Sequence, residues 1–176
     1  MKLPWQKSKP NVSLKAAAAC LGSALNYLQK PTLGDLSKLD SHSFYIAAAE
    51  VVCLLFHLTD RILFDTVPHL RQARMDALVS SGIAVFAEEM RPNLNDPTEA
   101  NELALQMFMP LYDKRMDEYA SLGDDWFRLV LSKFGRHFSE AVNDGELSME
   151  IYLDAQSEVV QMHRALLEFT PELFKP

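Results

Sequence analysis

The chain has 176 residues, 48% hydrophobic and 23% charged, with a formal net charge of −7. That length fits one domain with a core needing no staple, and the composition excludes a disordered or fibrous chain. An acidic body also speaks against general affinity for nucleic acid or an anionic membrane surface.

Charge is unevenly spread. The first carboxylate is Asp35, and five lysines (Lys2, Lys7, Lys9, Lys15 and Lys30) precede it. Residues 1–12, with Trp5, read as a basic and flexible arm. The run AAAAC at 16–20 is too short for a signal peptide. Cys20 and Cys53 lie in apolar helical patterns without CxxC spacing, as expected of free thiols in a reducing compartment.

In chain order, Ser13 is the expected cap of a first helix. Leu14, Ala17, Ala18, Leu21, Leu25 and Leu28 would form one face of it, and Pro31 would stop it. The polar loop TLGDLSKLDSHS leads to Ser43, the expected cap of a long, buried second helix ending before Val67-Pro68. A bilayer span over 44–67 is rejected, because Glu50, His57, Asp60, Arg61 and Asp65 fall inside it and each is costly in lipid. A cytoplasmic protein without a membrane partner is therefore expected.

A third helix is expected over about 69–90, with Ser80-Ser81-Gly82 as a patch of close approach. Asp96-Pro97-Thr98-Glu99 is a strong helix start, combining an N-cap, a proline at the first position and an early acid. The fourth helix is expected to kink or break at Pro110. Methionines and aromatics crowd the same stretch (Met107, Phe108, Met109, Tyr112, Met116, Tyr119), marking it as the segment suited to line a pocket.

Asp124 should cap a fifth helix with a stripe of Phe127, Val130, Leu131, Phe134 and Phe138, ended by Asn143-Asp144-Gly145. A sixth helix spans 147–169 and closes at Pro171, leaving 171–176 as a tail. The fold predicted is an all-α, single-domain bundle of about six helices over 13–170.

Polar residues interrupt two apolar faces. Glu50, Cys53, Leu54, His57, Arg61 and Phe64 share a stripe on the second helix, with Asp60 beside it. Gln156 and His163 intrude in the same way on the sixth. Glu50, His57, Asp60, Arg61, Gln156 and His163 are therefore the candidate ligand pocket. Glu50, His57 and His163 are the candidate metal residues within it, with Asp113 or Asp117 as an added carboxylate.

No Glu-x-x-His, His-x-x-x-His or HExxH spacing supports a metal centre, and Arg61 would repel a cation. The competing reading is a buried ion-pair network in which Arg71, Arg74 or Asp76 of the third helix satisfies the second. Asp113, Asp117 and Glu118, with Lys114 and Arg115, read as a solvated face, and His137 as packing. GxSxG, phosphate-loop and dinucleotide fingerprints are absent, so no catalytic residue or cofactor is nominated. The function expected is a non-catalytic interaction or regulatory protein acting on a protein partner or on itself. The alternative is a bundle that binds a small molecule or metal around His57 and His163.

Overall fold

A computed structural model describes residues 11–30, 33, 39–122, 126–143 and 145–175. Among them it contains six α-helices and no strand. They are α1 (Val12–Leu28), α2 (Ser41–Thr66), α3 (Arg71–Met90), α4 (Ala100–Ala120), α5 (Trp126–Val142) and α6 (Met149–Phe169). The basic arm up to residue 10, the stop at Pro31, most of the polar loop after it, the Asp124 cap and Asp144 lie outside the described residues.

α1 starts earlier than its pattern suggests. Asn11, not Ser13, caps it, its side chain accepting from the backbone N–H groups of Ser13 and Leu14. The buried face is Ser13, Ala16, Ala17, Cys20, Leu21, Ala24, Tyr27 and Leu28. It is rotated from the leucine stripe, so Leu14 stays 45% exposed. Small side chains let α1 press its alanines inward, and Leu14 is left outside.

α2 is the hub, packing against each of the other five helices. Residues 47–59 are buried without interruption, as a helix apolar all round should be. Its cap is Asp40 rather than Ser43, whose N–H the Asp40 carboxylate accepts at 2.7 Å. Opposite α2, Gly82 makes room for Phe56: a Cβ there would lie 3.1 Å from two carbons of the ring. Phe56, Phe86 and Phe108 are fully buried, and truncating any of them would cost about 3–5 kcal/mol.

Asp96 accepts from the N–H of Thr98 and opens a short 3-10 turn, Pro97–Glu99, which leads into α4. α4 then runs on through Pro110 without a break. The hydrogen bond that proline forfeits belongs to the carbonyl of Gln106, an exposed residue whose carbonyl water can satisfy.

α5 and α6 meet through Gly135, where a Cβ would come within 2.9 Å of the Tyr152 carbonyl oxygen. Ser139 fixes their junction by accepting from the N–H of Ser148, the residue that caps α6. Gly145, at φ 84°, sends its N–H back to the Glu140 carbonyl at 2.8 Å and terminates α5. After α6, Pro171–Phe174 forms a 3-10 turn with Leu173 buried, and the Arg74 guanidinium donates to the carbonyls of Leu173 and Lys175. No helix among the described residues is long and apolar enough to cross a membrane.

Candidate functional site

The structure splits the six candidate residues among three places. Glu50 is 3% exposed, and Arg115 of α4 grips it side-on. Arg115 Nε donates to one carboxylate oxygen at 2.8 Å and Nη2 to the other at 2.5 Å. Nη1 reaches Glu118, which also accepts from Lys133 Nζ at 3.0 Å and lies 2.9 Å from His137 Nε2. The network ties α2 to α4 and α4 to α5. Burial opposes the charge on Arg115, but hydrogen bonding and attraction to Glu50 raise its pKa overall. Burial likewise opposes the charge on Glu118, and Lys133 and His137 hold its carboxyl below the ordinary range.

Two expectations are corrected here. Arg115 is not part of a solvated face but one of the most buried charges among the described residues, at 6% exposure. His137 is not mere packing, because its ring nitrogen pairs with Glu118. The partner of Glu50 thus comes from α4 rather than α3.

Asp60 behaves as the ion-pair reading anticipates. Arg71 of α3 donates to both of its oxygens at 2.6 Å and lies over the Phe64 ring at 5.4 Å. His57 is buried beside Tyr119, with ring centres 5.2 Å apart. Burial first, and then the charge of Arg61, lower its pKa to about 4, so it is neutral at pH 7.

His163 and Gln156 belong to a different place. Gln156 lies against Gly135 at the α5–α6 contact. Burial lowers His163 to about 4. Among the described residues, the buried Nε2 atoms of Gln156 and His163 and the hydroxyl of Tyr119 have no hydrogen-bond partner. The candidate metal shell of Glu50, His57 and His163 is therefore not assembled, because the arginine fork already fills the carboxylate of Glu50. No three His, Cys, Asp or Glu side chains among the described residues converge on a metal position. Burial pushes the Cys20 thiol up to about 12 and Cys53 well above its usual value, which leaves both unreactive.

His57, Asp60 and Arg61 do come together. With Arg71, Gln72, Met75, Tyr112, Met116, Asp117 and Ala120 they line a cleft of about 280 Å³ whose walls are α2, α3 and α4. A second cleft, of about 480 Å³, adjoins it between α3 and α4. Val79, Ile83, Leu105 and Met109 line this one, and Gln72, Met75 and Tyr112 belong to both. The methionine-rich segment around Pro110 thus lines two neighbouring clefts.

A further cavity lies elsewhere. An open groove of about 700 Å³ between α1 and α6 is floored by Cys20 and Leu55 and bordered by Ala18, Gly22, Met162 and Phe169. None of the candidate residues lines it. No family model matches the chain, and neither curated proteins nor solved structures yield a match.

Proposed function

We propose that this chain is a non-catalytic interaction module that takes a helical segment of a protein partner into the groove between α3 and α4. The supporting observation is the continuity of the two clefts through Met75 and Tyr112. Along α4 the groove runs from Leu105 to Ala120, roughly 22 Å or about four helical turns. Its half toward Leu105 is largely apolar, its half toward Ala120 is polar, and methionines line both (Met75, Met109, Met116), side chains that repack around varied partners. A trough of this shape suits an amphipathic helix whose apolar face repeats at i, i+3, i+4 and i+7.

The test uses a displayed library of amphipathic helical peptides of about 15 residues. It is selected on the wild-type protein and counter-selected on Leu105→Glu, a change at a side chain 47% exposed and so tolerated by the fold. Peptides that need Leu105 support the reading. A selection yielding only peptides that bind both proteins equally overturns it.

A second reading follows from the polar cleft alone. His57, Asp60, Arg61 and Asp117 surround a space of about 280 Å³, near the lower limit for a small-molecule site. A small ligand carrying both charges fits two arginines set beside two aspartates.

A further inference from the structure

The charges along the groove narrow the kind of helix it accepts. On α4, Leu105, Met109, Tyr112 and Met116 point into the clefts. At about 100° per residue, Glu102, Asp113 and Asp117 fall on the adjoining, outward side and form the α4 lip. All three are exposed. Lys114, the one lysine of α4, projects from the side opposite Leu105, and Arg115 is buried on Glu50. Across the groove, α3 contributes the exposed Asp76, beside Gln72 and Ser80. The long apolar stretch is thus edged by carboxylates on both sides.

Only the end near α2 is balanced. There Arg61 and Arg71 stand beside Asp60 and Asp117. Tyr112, at the middle of the groove, senses the same field. Its hydroxyl is pushed above the ordinary range, first by burial and then by Asp60, Asp113 and Asp76 among its neighbours.

We infer that the groove between α3 and α4 selects a basic amphipathic helix of a protein partner, its apolar face on Val79, Ile83, Leu105 and Met109 and its lysines or arginines on Asp76, Asp113 and Asp117. This rests on the groove being the binding surface. An acidic helix would meet like charge on both lips, and a phosphate-rich surface would be repelled by the same carboxylates. Lip charges of this kind are solvated, so they set partner choice and association rate more than affinity, and salt screens them.

The experiment titrates the full chain with two designed helical peptides sharing one leucine face, one with lysine and one with glutamate at every other position. Binding is followed by fluorescence anisotropy at low and high salt. Four proteins are compared: wild type, Leu105→Glu, the triple change Asp76→Asn, Asp113→Asn, Asp117→Asn, and the single reversal Asp113→Lys. The lysine peptide should bind wild type at least about tenfold more tightly than the glutamate peptide, and the gap should shrink in high salt. The triple change should close most of that gap, Asp113→Lys should reduce it alone, and Leu105→Glu should weaken both peptides.

If both peptides bind wild type equally and both need Leu105, the groove stands and the basic partner is overturned. If the lysine peptide binds more tightly but the triple change leaves the gap intact, the assignment to these aspartates is overturned. If Leu105→Glu leaves both titrations unchanged, or neither peptide binds, the groove reading itself fails.

Discussion

Glu50 and Asp60 lie about three turns apart on α2, and an arginine from a neighbouring helix grips each of them side-on. Their settings differ. The Glu50 and Arg115 side chains are 3% and 7% exposed, whereas those of Asp60 and Arg71 are 16% and 42% exposed. The first pair is a strut inside the bundle. The second stands at the mouth of a cleft, where water screens it. Similar hydrogen-bond geometry therefore sits in opposite settings: the buried pair is closed off inside the bundle, and the other lines the wall of a cleft.

The largest expected effect breaks the buried pair on one side. Arg115→Met leaves the Glu50 carboxylate without its partner in the interior and should cost about 3–5 kcal/mol in urea unfolding. A loss of less than about 1 kcal/mol would place Glu50 in contact with water and undo the contrast.

Acid should act next. His57 and His163 have folded pKa values of about 4, against 6.5 when unfolded. Because the folded state holds them neutral, their contribution is fully present above about pH 6.5. It declines as pH falls from there toward 4, where the unfolded chain binds protons that the folded chain refuses. The expected loss by pH 5 is roughly 1–2 kcal/mol for each, read from unfolding midpoints across that range. His163→Leu should flatten the profile by about half, and an unchanged slope would show that His163 already exchanges protons with solvent.

Asp60→Ala should cost about 1 kcal/mol, since its partner is more than a third exposed. A loss as large as that of Arg115→Met would mean the two pairs are equivalent. The smallest expected effect has the opposite sign. Gly22 lies within α1 with open space where a Cβ would go, so Gly22→Ala should stabilise by about 0.5–1 kcal/mol. That gain is the backbone contribution where nothing is packed, and it sets the scale for the losses above.

The fold was legible because its signals are local. Asp96-Pro97-Thr98-Glu99 before α4, the unbroken apolar run of α2 and the Asn143–Gly145 stop each act within one or two turns. The polar centre was legible only in part. The intrusion of Glu50, His57, Asp60 and Arg61 into an apolar helix was plain from their spacing, and a partner from the next helix was expected, but spacing left Arg71, Arg74 and Asp76 as alternatives. Arg115 was hidden, because within Asp113-Lys114-Arg115 it resembles any exposed charge, and its partner lies 65 positions away. Only the rotation of α4 against α2 separates it from Lys114. Likewise, His57 and His163 look equivalent on their helical wheels, yet only His57 borders the cleft. The leucines of α1 misled for a related reason: alanines, poor in hydrophobic area but small, decided which face could approach its neighbours.

The most direct measurement replaces both members of the buried pair, Glu50→Leu with Arg115→Met, and follows urea unfolding and lysine-peptide binding on the same protein. Apolar replacement of both charges should recover most of the stability lost by Arg115→Met alone and leave peptide affinity at the wild-type value. A double variant that folds normally but no longer binds the peptide would contradict the account, for it would make Glu50 and Arg115 part of the binding surface rather than its support.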